Sequence, residues 1–233
     1  MADLDPAIPT PADAGVVTLE SVQHDEELLA YMHVGDAYLG SIGYTEHSER
    51  HANLTAHIAR NILKRLGYPD REAELAGVAG FMHDIGNVVS REDHGLSTAM
   101  IAKDVLLRLG MAYEEVAIVL NAVGNHEEES GIPATPVAAA VIIADKSDVH
   151  HTRVRAEPLD FDIHDRVNSA ARRSFARVDP ETRTITLEID IDTTQSHVME
   201  YFEIFLSRMQ MCRAAAQVLG ASFELVINGT RLL

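Results

Sequence analysis

Histidine and aspartate fall at the ends of predicted helices in an ordered series: His47, His83-Asp84, His94, His126 and Asp145. Imidazole is the commonest side-chain ligand of metal ions and the usual proton carrier near neutrality. The chain holds 12 His, against 6 Phe and 6 Tyr, and several stand beside acidic residues. Helix ends that converge on one side of a bundle bring such residues together, and bundle cores house paired carboxylate and imidazole metal sites. A His-Asp doublet standing alone would read as a helix cap or a surface hydrogen bond. The separations along the series are long, and spacing alone does not decide between that reading and a metal site.

The elements that must position these residues are helical. Leu28, Met32 and Leu39, then Leu54, Ile58, Ile62 and Leu66, recur at three- and four-residue spacings that turn one helix face inward. The second segment ends at Gly67-Tyr68-Pro69. A further helix is predicted from a cap at Asp70 through Leu75, Val78 and Met82 to a break at His83-Asp84-Ile85-Gly86. Leu96, Met100, Ile101, Val105 and Leu109 predict a helix that stops at Gly110; Val116, Val119, Leu120 and Val123 predict one that stops at Gly124. Val137 to Ala144 is apolar all round, which predicts a central buried helix.

Beyond residue 155 the pattern changes. Pro158 and an Asp-rich stretch through Asp165 predict a linker. From Arg183 to Asp192, Ile185, Leu187, Ile189 and Ile191 alternate with polar residues, the period of a half-buried strand. A long helix is predicted from Gln195 to Leu219, with Tyr201, Phe202, Phe205, Leu206 and Met209 on an apolar face that reads as core or, alternatively, a homodimer contact. Phe223, Leu225 and Ile227 alternate before Asn228-Gly229, a strong hairpin signal. The expectation is a mostly α protein, with a helical bundle over 16–155 and a small C-terminal α+β extension over 156–233. In that extension the strand and the hairpin share one short sheet under the long helix. Residues 1–15, with Pro6, Pro9 and Pro11, are expected as a disordered tail.

Composition narrows the partners. A chain of 233 residues can bury a sizeable core, and a formal charge of -17 would repel a nucleic-acid backbone, so no polymeric nucleic acid is expected. A small phosphorylated substrate stays compatible, because bound cations invert the local field. The apolar run Val137 to Ala144 is far short of the ~20 residues of a membrane span, and the acidic N-terminus lacks the basic start of a secretion signal. The single Cys212 excludes an internal disulfide framework. A reducing cytoplasm and no membrane partner are the expectation.

Met82-His83-Asp84-Ile85-Gly86 matches the H-D-I-G signature of the HD superfamily of metal-dependent phosphohydrolases, and the resemblance spans roughly residues 40 to 155. The segments TEHSERHANLTAHIA, DHGLSTAMIA, GNHEE and IIADKSDVHHTRV resemble the family's other ligand-bearing segments in the same order. The resemblance implies that His47, His83, Asp84 and Asp145 hold one metal, and that Asp84 bridges to a second held by His94 and His126. Such donors, without thiolate, suit iron, manganese or zinc, and suit magnesium less. Two cations ~3.5–4 Å apart lower the pKa of a shared water and clamp phosphoryl oxygens during in-line attack. The implied activity is hydrolysis of a phosphomonoester, phosphodiester or phosphoanhydride in a small molecule, nucleotide-like by the nearest resemblance.

Other residues are weighed against plainer roles. Lys146 and Arg153 are candidates for holding substrate phosphate, against solvated charges or partners of Asp148. His51, one turn from His47, is a candidate proton donor to the leaving oxygen, against a packing role. Glu127, Glu128 and Glu129 read as a solvated acidic edge, with Glu127 a candidate to orient a ligand, and His150-His151 reads as surface. Asn87 stands where many relatives carry Lys. The segment NHEEESGIPATP lacks the G-Y-P element of the cyclic-dinucleotide branch, so that branch is not expected. Two rivals share these six ligands: a di-iron oxygenase, and a regulatory module whose metal only holds helices together.

Overall fold

A computed structural model describes residues 16–128, 131–155 and 162–232. The expected tail at 1–15 and the stretch 156–161 of the expected linker lie outside the described residues. The first part is helical: α1 (Leu19–Gln23), α2 (Glu26–Ser41), α3 (Glu49–Arg65), α4 (Asp70–Met82), α5 (His94–Arg108), α6 (Tyr113–Gly124) and α7 (Pro136–Lys146). Asp25, Ser48 and Thr135 cap α2, α3 and α7, each accepting a backbone N–H of the first turn through its side chain. Asp70 is the first residue of α4 rather than its cap; Pro69 stands at the cap position and contributes no side-chain bond. Short 3-10 turns run over Ile85–Val88 and His151–Arg153.

The apolar stripes of α3 and α5 differ from the sequence expectation. On α3 the buried residues are His51, Ala52, Thr55, Ala56, Ala59, Ile62 and Leu63, while Leu54 is 36% exposed. On α5 the inward residues are His94, Thr98, Ala102, Val105 and Leu106, and Leu96 and Met100 face solvent. Small residues own these contact faces because the helices pack closely: a Cβ on Gly80 of α4 would come 3.0 Å from the Cα of Ala56. Alanine and glycine weigh little in a hydrophobic pattern, so larger flanking residues misdirect the reading. Val137 to Ala144 are all buried, and α7 packs against α3, α4 and α6 at the centre of the bundle, as its all-apolar sequence requires.

The C-terminal part runs α8 (Ile163–Ala170), β1 (Ala171–Asp179), β2 (Thr184–Ile191), α9 (Val198–Val218), β3 (Ser222–Ile227) and β4 (Thr230–Arg231). The sheet has order β1-β2-β3-β4: β1 is antiparallel to β2, β3 is parallel to β2 after the α9 crossover, and β4 is antiparallel to β3. Asn228 and Gly229, both at positive φ, make the last hairpin turn. Ile185, Leu187, Ile189 and Ile191 face the core, as their alternation predicts. Helix α8 and strand β1 are additions to the expected outline. Strand β1 carries Arg172, Arg173 and Arg177, and buries only Ala171, Ala176 and Val178, too weak a period to read. Helix α9 packs on α7, so Tyr201, Phe205 and Met209 enter the same core as the bundle, whereas Leu206, expected on the same face, is 51% exposed. Among the described residues no helix is long and apolar enough to cross a membrane.

Candidate metal centre

Helix termini bring the site together. His83 ends α4, and Asp84 opens the 3-10 turn that follows. Thr98 of α5 ties that turn down, donating to the His83 carbonyl at 2.8 Å and accepting from the Gly86 N–H at 2.9 Å. A side chain at position 86 would collide with the His94 carbonyl, which is why glycine ends the signature. Asn87, in place of the lysine of relatives, donates through Nδ2 to the Asp84 carbonyl at 2.9 Å. His94 begins α5, His126 follows α6, and Asp145 lies in the last turn of α7. Because Ser48 caps α3, His47 lies outside the helix and His51 inside it, so the two do not share a helix face.

The hydrogen bonds on the far side of each ring decide which nitrogen meets its neighbours. His83 Nδ1 faces the Gly80 carbonyl at 2.8 Å, His94 Nδ1 the Arg91 carbonyl at 3.0 Å, and His126 Nδ1 the Val123 carbonyl at 2.6 Å. A carbonyl only accepts, so each Nδ1 carries the hydrogen and each Nε2 keeps its lone pair. His51 Nδ1 is fixed likewise by Asp148 Oδ2 at 2.8 Å. The bare nitrogens then converge: His51 Nε2 lies 3.2 Å from His83 Nε2, and His94 Nε2 lies 2.9 Å from His126 Nε2. Asp84 reaches both pairs, Oδ2 at 3.1 Å from His83 Nε2 and Oδ1 at 3.1 Å from His94 Nε2. Asp145 Oδ1 is 3.3 Å from His51 Nε2. Asp84 Oδ2 is buried with no properly aligned hydrogen-bond partner, despite its short distance to His83. Facing lone pairs and an orphaned carboxylate oxygen are the environment a cation satisfies. The groups His51, His83, Asp145 and His83, Asp84, His126 each have metal-compatible spacing, with donor atoms within 4.8 Å of one another.

The family model that matches the chain, described as HD domain, covers residues 44–151 and takes in every one of these donors. Residues 44–151 form an HD domain. Members of this family are in general metal-dependent phosphohydrolases. No curated protein matches the chain.

The electrostatics of the HD domain agree with its donor set. Burial works to raise Asp84, but His83, His47 and His126 outweigh it and hold the carboxyl well below its usual range. At Asp145 burial is likewise overcome, chiefly by Lys146, His51 and His83. Burial opposes a charged His83, yet Asp84 and Asp145 push it up to about 10, so its Nε2 holds a proton unless another cation faces the two carboxylates, and a metal ion there would displace that proton. Burial pushes His126 down to about 4. Two ionised carboxylates so nearly enclosed call for positive charge close by, of which Lys146 supplies part at Asp145.

A cavity of about 1150 Å³ opens onto the cluster, lined by His47, Asp84, His94, His126, Asp145, Lys146 and Arg153 of the HD domain and by residues of α8 and α9. His47, Nδ1 on the Thr45 carbonyl at 2.7 Å, faces this cavity and is held well below its ordinary pKa by burial and Arg153. His51 is fully buried and does not line it. Lys146 Nζ donates to Asp145 Oδ2 at 2.7 Å. Arg153 donates to the Glu46 and Asp148 carbonyls, both at 3.0 Å. Both expected phosphate-binding cations thus reach the cavity while bracing the site.

Several participants escaped the sequence reading. Asp148, buried, accepts from His51 and from Arg50 Nη2 at 2.9 Å; burial is outweighed by His51 and the two arginines, so it stays ionised. Glu127, the candidate to orient a ligand, stands 2.9 Å from His94 Nδ1 and accepts the Gly95 N–H, which fits that role rather than a solvated edge. Glu128 accepts from Ser207 at 2.9 Å and from Arg208, tying α9 to the loop that carries His126. Arg91 Nη1 stands 3.4 Å from His94 Nε2 on the cavity wall. Glu129 lies outside the described residues. The one available signal was Ser48 before Glu49, a helix-start signature that separates His47 from His51.

Proposed function

We propose that this HD domain is a metal-dependent phosphohydrolase that cleaves a phosphate ester or anhydride in a small, nucleotide-like molecule at a two-metal centre. The observation that carries the reading is the pair of facing Nε2 contacts, His51 with His83 and His94 with His126, with Asp84 between them. His51, His83, Asp84 and Asp145 would hold one divalent ion, and Asp84, His94 and His126 the other. This assigns to His51 the ligand position expected for His47. Iron, manganese or zinc suits the donors better than magnesium. Bound there, the ions would supply Lewis acidity at the phosphoryl oxygens and acidify a water towards neutrality.

The chain's own groups do the rest. Asp148 holds the Nδ1 hydrogen of His51 and the Arg91 carbonyl that of His94, with Glu127 2.9 Å from the same His94 nitrogen, so that Nε2 is the donating atom in each ring. Lys146 braces Asp145, and Arg91 and Arg153 bring guanidinium charge to the wall where phosphate oxygens would lie. His47, kept neutral by its burial, offers an acceptor to the substrate side. His51, enclosed and turned to the cluster, has no path to a leaving oxygen, so the proton-donor role is not given to it.

The test joins metal analysis of the purified protein to a phosphate-release screen over nucleotides, polyphosphates and sugar phosphates. Asp84→Ala is expected to lose bound metal and reduce release to background. Equal release by wild type and Asp84→Ala on every substrate would end the reading, and dioxygen uptake in place of release would move the same ligands to an oxygenase.

A further inference from the structure

The cavity wall includes Phe205, Ser207 and Arg208 of α9, which lie beyond the matched residues 44–151. They meet the metal centre through Glu128. Glu128 stands two residues past His126, and Lys146 follows Asp145, so these two side chains link the α6 end of the cluster to its α7 end. The Lys146 ammonium, its side chain only 7% exposed, lies between two carboxylates: it donates to Asp145 Oδ2 at 2.7 Å and stands 3.8 Å from Glu128 Oε1. Glu128 Oε1 accepts from Arg208 Nε instead, and its Oε2 accepts from the Ser207 hydroxyl at 2.9 Å. The Arg208 guanidinium is anchored in turn, 4.4 Å from the centroid of the buried Phe205 ring. With Oδ2 held by Lys146, Asp145 turns Oδ1 to the cluster, 3.3 Å from His51 Nε2 and 3.7 Å from His83 Nε2. Burial works to raise the Asp145 carboxyl, and Lys146 leads the groups that hold it below its ordinary range.

We propose that Arg208 is a positioning residue of the metal centre: by neutralising Glu128 it leaves Lys146 to Asp145, whose other oxygen then points at the ion site. The proposal rests on the metal-binding part of the reading above, not on the reaction. It makes α9 part of the centre, although every ligand comes from the HD domain. A nearly buried ammonium between two carboxylates is shared unless a second cation satisfies one of them, and Arg208 satisfies Glu128. Without the guanidinium, Glu128 is a carboxylate with a side chain only 20% exposed, and Lys146 is the remaining cation within 4 Å of it among the described residues. Closing that gap draws Lys146 off Asp145. Asp145 then loses the hydrogen bond that fixes its carboxylate, and the ion loses an oriented ligand.

The test measures zinc binding to the full chain, first stripped of metal, by competition with a chromophoric chelator. Arg208→Met is expected to weaken binding about 10- to 100-fold, the range for losing a group that orients a metal ligand. In the Glu128→Gln background, where no carboxylate competes for Lys146, the same Arg208→Met change should alter binding by less than about threefold. A packing role for Arg208 predicts an equal loss in both backgrounds, and that result overturns the proposal. So does an Arg208→Met protein that binds zinc as wild type does. Where Arg208→Met fails to fold, Arg208→Gln, which keeps an amide donor and no charge, takes its place in the same cycle. Lys146→Met checks the other half: it should weaken binding, with no further loss when joined to Arg208→Met, and unchanged binding in Lys146→Met overturns the proposal. A wild type that binds no zinc ends the metal reading itself and this proposal with it, whereas wild-type binding that is indifferent to Arg208 ends this proposal alone.

Discussion

The HD helices bury charge, whereas the C-terminal sheet keeps charge at its rim. Around the cluster, His51, His83, His94, His126 and Asp148 are all buried, and Asp84 leaves an oxygen unmatched. In the sheet the buried positions are all apolar, Ile185, Leu187, Ile189, Leu225 and Ile227 among them, while Arg177 pairs with Glu188 and Arg172 with Asp192 on exposed faces. Both regions share one hydrophobic core through α7 and α9. The difference teaches that the two depend on different things. The sheet is stabilised by area removed from water and needs no partner. The cluster is a set of desolvated donors whose arrangement is favourable only when positive charge sits among them.

Chelation offers the sharpest way to break this contrast. Stripping metal should abolish phosphate release and lower Tm by about 5–10 °C, the effect of removing a ligand held at roughly 100 times its Kd. A Tm that ignores chelator while metal analysis records its loss would erase the contrast. On the other side, Leu225→Ala should cost about 2–5 kcal/mol in denaturant titration by opening a cavity in the sheet's core, while metal content per folded chain stays at the wild-type value. A drop in metal content would mean the regions are less separate than their chemistry suggests.

A subtler cut falls behind the cluster. Asp148→Asn keeps the shape beside His51 but removes the charge that stabilises its Nδ1 hydrogen. Metal affinity, followed by competition with a chromophoric chelator, should fall about 10- to 100-fold, with the circular dichroism spectrum unchanged. The smallest effect belongs to the extension's surface. Glu200 accepts from Arg166 at 2.9 Å, from Ser196 at 2.8 Å and from the His197 N–H at 3.1 Å, and the Arg166 and Ser196 bonds lead in pushing its carboxyl down to about 2. A lowered folded-state value stabilises above the ordinary 4.5 and is lost as pH falls through about 2. Glu200→Gln should therefore melt slightly earlier than wild type at pH 7, the gap closing on acidification. A gap that persists in strong acid would assign the effect to packing rather than charge.

Much of this was legible in the chain. The doublet His83-Asp84, the all-apolar α7, the alternation of β2 and the Asn228-Gly229 turn are local patterns, each fixed by residues close in sequence. The reading failed where the signal was faint or distant. Strand β1 pairs through its backbone despite three arginines, and α3 packs through alanines that no hydrophobic scale marks. Asp148 and Glu128 resemble any other surface acid until the partners across the fold are known.

By itself, then, the sequence determined the kinds of donor and the helix ends that carry them, because types and caps are local. Which nitrogens meet was decided only in three dimensions. His47 and His51 are both plausible ligands on paper, but the Ser48 cap excludes one from α3, and Asp148, 97 residues away, turns the other's ring toward His83. An imidazole's usable nitrogen is set by what its opposite nitrogen bonds to, and here that partner arrives through tertiary packing.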